Sequence, residues 1–164
     1  MKGFLADLTG ASDRWIRTLL YQVVIGRLSI FVVYALLLLV TPEMTQEGFS
    51  GVVRSLDTVM VIAALVFAPL VESLILLMIV GLVGGKFGAP RWFTVLFAGA
   101  AFLPMHGLVL MSLVIVPFFI LMALVQFNWM KRSRTWAGYG IVVLIHALQN
   151  LFGLTYAAAF GIPA

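Results

Sequence analysis

Four apolar stretches, at 19–40, 58–83, 92–130 and 136–160, set what this chain can fold into. Crossing a hydrocarbon core about 30 Å thick takes about 20 apolar residues as a helix. Each stretch reaches that length, and the third is long enough for two helices. Inside a bilayer every backbone N–H and C=O must be bonded within the protein, and a helix does this within one segment. The expected architecture is an all-α, polytopic transmembrane helical bundle of about five spans: 19–40, 58–83, 92–106, 108–130 and 136–160. The long run is expected to break in the Pro104–Gly107 region, because proline and glycine punctuate helices. Residues 1–18 mix Phe4, Leu5, Leu8, Trp15 and Ile16 with charges. They read as an interfacial helix leading into the first span. The whole of 1–164 reads as a single membrane domain.

Composition agrees. The chain is 63% hydrophobic and 10% charged, against about 45–50% and about 25% in soluble domains. The absence of cysteine excludes disulfides, thiolate catalysis and Cys-based metal sites. The net charge of +4 is no nucleic-acid signature, since the basic residues lie in short segments at membrane boundaries. No nucleic-acid partner is expected; the lipid bilayer is. Lys2, Arg14 and Arg17 precede the first span, and Lys86 with Arg91 follow the second. Lys131, Arg132 and Arg134 precede the last. Glu43, Glu47, Arg54 and Asp57 mark the polar connection 41–57, which is expected outside the membrane. Counting Lys and Arg places the N-terminus in the cytoplasm. The N-terminus lacks the short apolar core and small-residue cleavage site of a signal peptide and is expected to be retained. Arg27 lies near the entry of the first span, where its stem would let it snorkel.

Against this background Glu72, His106, His146 and Asn150 stand out, because polar groups inside a bilayer are costly and mark functional sites by default. At 1.5 Å per residue, Glu72 lies about 17 Å from residue 83, His146 about 15 Å and Asn150 about 21 Å from residue 136, and His106 about 21 Å from residue 92. All four therefore share one slab of the membrane. His146 and Asn150, four apart, share a helix face. A carboxylate can take a proton from water while an imidazole orients it. A second imidazole or a carboxamide can donate to the oxyanion formed when water attacks an amide. That set suffices for peptide hydrolysis without a nucleophilic side chain. Interhelical hydrogen bonding and a proton relay use the same residue types.

The spacing carries more than the inventory. Phe102 to His106 reads F-x-x-x-H, and His146 to Asn150 reads H-x-x-x-N, preceded by the basic stretch Lys131-Arg132-Ser133-Arg134. Ala68-Pro69-Leu70-Val71-Glu72 places a glutamate mid-helix upstream. In this order the motifs resemble the CAAX protease and bacteriocin-processing (CPBP, or Abi) family of glutamic intramembrane endopeptidases. The resemblance covers about half of the chain, from Pro69 to Leu151. It departs at the first motif, where the family carries a second glutamate and an arginine and this chain has Ser73 and Leu77. The resemblance implies a hydrolase in which Glu72 and His106 activate water while His146 and Asn150 hold the oxyanion. It implies a membrane-associated peptide or protein substrate and a bacterial inner membrane. It implies no metal or other cofactor; zinc, which one Glu and two His can bind, lacks H-E-x-x-H spacing here. A catalytically inactive relative that binds a membrane partner in immunity or regulation is the alternative that the missing Glu and Arg suggest. A small proton-coupled transporter is another, weakened by the absence of an internal repeat.

Other features read structurally. Trp92, Trp129, Trp136 and Tyr139 fall at span ends, as in an interfacial aromatic belt. Gly81, Gly84 and Gly85 read as the break ending the second helix. Pro69 is expected to kink the helix beside Glu72, and Pro117 to kink the fourth. The methionines read as core filling.

Overall fold

A computed structural model describes residues 2–11, 14–41, 58–106 and 110–159 of the chain, without the side chains of 2, 110, 111 and 157. All regular structure among the described residues is helical. Helix α1 is Lys2–Leu8 and α2 is Trp15–Val40. Helix α3 runs Thr58–Lys86, with π turns at Ala63–Phe67 and Gly81–Lys86. Helix α4 is Arg91–Ala100, α5 is Val116–Lys131 and α6 is Thr135–Ala159. Most of the connection 41–57, Gly107 of the expected Pro104–Gly107 break and the end of the last span at 160 lie outside the described residues.

Four of these helical segments are long and apolar enough to cross a membrane: Trp15–Val40, Thr58–Lys86, Ser112–Lys131 and Thr135–Tyr156. The protein is an integral membrane protein. Its apolar side chains sort accordingly. Leu28, Val32, Leu36, Phe67, Val71, Met78 and Phe97 are exposed on the outside of the bundle, the surface that lipid tails cover. The core packs Leu76 and Val80 of α3, Val95 and Ala98 of α4, Phe118, Phe119 and Met122 of α5, and Val142 and Ile145 of α6.

The third expected span, 92–106, is not a spanning helix. Helix α4 stops at Ala100, about 15 Å from its start at 1.5 Å per residue. Turns and a 3-10 segment, Pro104–His106, take over. Proline is the reason. Pro104 has no N–H for the ladder and disfavours helical geometry at Leu103. The remainder of the run returns as α5, antiparallel to α4. A Cβ on Gly84 would meet Phe127 and Thr94, and one on Gly99 would meet Ile120. So 94 lies near 127, and 99 near 120. Pro117 does not kink α5 but sits in its first turn, where a missing N–H costs nothing.

Glycine roles differ from the expectation as well. Gly84 lies within the continuing helix and serves close approach to α4 and α5. The break falls at Gly88, whose φ of +67° suits a residue without Cβ. There Ala89 N–H bonds to the Val83 carbonyl, six residues back, at 3.0 Å, which closes the widened last turn.

The N-terminal segment also differs. The first span begins at Trp15 rather than residue 19, and α1 folds back on it through a turn at Gly10, φ +70°. Buried Asp7 pairs with Arg14 at 3.1 Å. Asn128 of α5 donates to the Thr9 carbonyl at 2.7 Å, and Gln22 of α2 donates to the Leu8 carbonyl. The earlier start leaves Arg27 about 18 Å into α2. Arg27 does not reach back to the interface; its guanidinium donates to the Gln149 carbonyl of α6. Trp129 is likewise no belt residue. It is buried and its ring faces Gly10.

Candidate functional site

Three elements converge at one carboxylate. Glu72 projects from the middle of α3, His146 from the middle of α6, and His106 from the 3-10 turn after α4. The Nε2 atoms of both imidazoles point at the same oxygen, Glu72 Oε2, at 3.8 Å from His106 and 3.7 Å from His146. Both distances exceed a direct hydrogen bond of about 2.7–3.2 Å. Glu72 Oε2 is buried and has no hydrogen-bond partner among the described residues. The His146 side chain is 5% exposed, that of Glu72 16% and that of His106 32%. The group is therefore closed behind His146 and open beside His106.

Aromatic rings make the closed wall. Phe119 stacks on Phe102 at 3.9 Å, nearly parallel. Its ring lies 5.7 Å from both imidazoles, and Phe118 lies edge-on to His146 at 5.7 Å. These contacts restrict how the imidazoles turn and leave little room for water behind them.

The F-x-x-x-H spacing acquires a physical reason. His106 Nδ1 lies 3.1 Å from the Phe102 carbonyl, and a carbonyl only accepts. Nδ1 therefore carries the hydrogen, and in the neutral ring Nε2 faces Glu72 as a lone pair. The turn itself is tied to the returning chain by Ser112, whose hydroxyl donates to the His106 carbonyl at 2.9 Å. His146 has no such anchor, since its Nδ1 is buried without a partner among the described residues.

Asn150 joins the site differently. It lies one turn beyond His146 on α6, and its amide nitrogen donates to the Ala64 carbonyl of α3 at 2.7 Å. The structure thus brings together Glu72, His106 and His146, and places Asn150 on the neighbouring backbone.

Two polar side chains on α6 have bonding roles that the sequence analysis did not give them. Gln149 is buried and donates to the Val23 carbonyl at 2.7 Å. Tyr139 donates its hydroxyl to the Leu70 carbonyl at 3.1 Å, so it braces α3 rather than merely marking an interface. The signal available was placement: amides and a phenol at helical spacing from His146 on one apolar segment. Ser73 is buried with its hydroxyl unpartnered, and Leu77 is buried in the core. Of the two positions where the first motif departs, Ser73 therefore faces packing and Leu77 borders a cavity. A cavity of about 580 Å³ opens between α3 and α6 toward Arg134, lined by Leu77, Gly81, Thr135 and Trp136.

Among the described residues no group of three or more His, Cys, Asp or Glu side chains is arranged to hold a metal ion. No family model, curated protein or solved structure matches the chain.

Proposed function

We propose that the protein is an intramembrane endopeptidase, similar to the CPBP glutamic proteases, that hydrolyses a peptide bond of a membrane-associated substrate in a bacterial cytoplasmic membrane. The observation that carries this reading is the convergence of two imidazole Nε2 atoms on one buried oxygen of Glu72 that has no hydrogen-bond partner among the described residues. A substrate water would donate to Glu72 Oε2 and to the lone pair of His106 Nε2, two acceptors side by side. Glu72 takes a proton as the water oxygen attacks the peptide carbonyl carbon. His146, whose Nε2 is directed at the same place, carries its hydrogen on that nitrogen in this scheme and donates it to the oxyanion that forms. Glu72 then returns the proton to the leaving amine as the C–N bond breaks, giving a carboxylic acid and an amine. Neither a metal nor a nucleophilic side chain enters this scheme.

The test is mass-spectrometric peptide profiling in nanodiscs, wild type against Glu72→Gln. Loss of a positioned acid–base group costs about 10²–10⁴-fold, so cleavage by Glu72→Gln falls to background while the fold persists. Cleavage at the wild-type rate by Glu72→Gln would sink the mechanism. A second reading, an inactive relative that binds a membrane partner, is favoured by Ser73 and Leu77 at the family's Glu and Arg positions. It expects no product from any peptide in the panel, and full biological complementation by His106→Ala.

A further inference from the structure

The π turn ahead of Glu72 has a backbone defect built into it. Across Ala63–Phe67 the helical ladder widens, and Ala68 N–H bonds to the Ala63 carbonyl, five residues back. The next donor in that pattern belongs to residue 69, and its acceptor is the Ala64 carbonyl. Residue 69 is proline and has no N–H. In lipid a carbonyl without a donor is costly, and irregular backbone persists only where the protein bonds it. The donor comes from another helix: Asn150 Nδ2 reaches the Ala64 carbonyl at 2.7 Å.

We propose that Asn150 is a positioning residue, whose carboxamide replaces the N–H missing at Pro69 and so fixes α3 against α6 where Glu72 meets His146. The two helices are gripped on either side of Pro69, by Asn150 at the Ala64 carbonyl and by Tyr139 at the Leu70 carbonyl. Glu72 follows Pro69 by less than one turn, and Asn150 follows His146 by one turn. A slip of α3 on α6 would therefore move the carboxylate away from the imidazoles. The role differs from the oxyanion contact implied by the family resemblance: one N–H of the amide is engaged by the Ala64 carbonyl, and the clasp acts on Glu72 through the backbone of α3. Only its consequence for cleavage rests on the proposed hydrolysis; the clasp itself does not.

A double-mutant cycle separates the possibilities. Asn150→Ala is expected to raise the unfolding equilibrium constant in bicelles about tenfold, as for loss of one interhelical hydrogen bond. Pro69→Ala restores a backbone N–H, so Asn150→Ala added to Pro69→Ala is expected to change that constant less than about threefold. Cleavage lost in Asn150→Ala should return in the double variant, which an oxyanion donor would not allow. Equal losses of stability from Asn150→Ala in both backgrounds would overturn the clasp. Stability coupling without cleavage in any variant keeps the clasp and counts against the hydrolase. Should Pro69→Ala fail to fold, solid-state NMR of Asn150→Leu decides. The Ala64 carbonyl resonance shifts if its donor is lost, and an unchanged resonance overturns the proposal.

Discussion

His106 and His146 carry the same ring and face the same oxygen, yet their surroundings give them different duties. The Phe102 carbonyl fixes the hydrogen of His106 on Nδ1. Nitrogen NMR of histidine-labelled protein is expected to show His106 as the Nδ1–H tautomer, and an Nε2–H signal would remove its place as water acceptor. His146 is buried against Phe118 and Phe119, whereas His106 sits at the open edge. His146→Ala should therefore cost about 2–3 kcal/mol of stability through the cavity it leaves. His106→Ala should cost less than about 1 kcal/mol. Thermal unfolding in detergent measures both, and equal costs would mean that the two rings are equally packed. At this scale the sequence marked the chemically able residues by type alone, because ionisable groups are rare in apolar helices. It did not show that Asn150 bonds a backbone carbonyl of another helix. That depends on how Pro69 distorts a different helix.

At the scale of elements, the α4–α5 hairpin holds the site in place, since it carries His106 and Phe119. Its closeness depends on glycine. A Cβ at Gly99 would lie 2.4 Å from Ile120 Cγ1 and 3.3 Å from its backbone nitrogen. Gly99→Ala is expected to destabilise by about 1–3 kcal/mol and to loosen the turn at His106. Gly81 has nothing within 4 Å of the same added atom. Gly81→Ala should be neutral or stabilise by up to about 1 kcal/mol. Denaturation of the two variants side by side checks this, and an equal loss from both would count against the hairpin's tight seam. The apolar run 92–130 showed that two segments were present. The end of the first at Ala100 was not visible in hydropathy, because turns buried among helices are as apolar as the helices themselves. Pro104, which opens the expected Pro104–Gly107 break, was the signal, and the helix ends four residues before it.

For the whole molecule, the antiparallel hairpin puts Arg91 and Lys131 at one end of the bundle, together with Lys86 and Arg134. That clustering fits the basic ends facing the cytoplasm. The chain lacks cysteine, so single cysteines can be placed without background. Gly88→Cys and Ser133→Cys should react with an impermeant thiol reagent only from the cytoplasmic side, and Thr41→Cys only from the opposite side. Labelling of 88 and 133 from opposite sides would break the hairpin topology.

Hydropathy by itself determined that the chain is helical and lives in lipid, because a bilayer forces each apolar segment to bond its own backbone. It also determined which side chains have chemistry to offer, because lipid makes every other choice costly. Only the tertiary structure decided how many segments remain whole helices, that Arg27 turns inward to α6, and that two imidazoles meet one carboxylate oxygen. Those outcomes rest on contacts between residues far apart in the chain, chiefly the close approach at Gly84 and Gly99 and the carbonyl left open by Pro69. No local pattern records them.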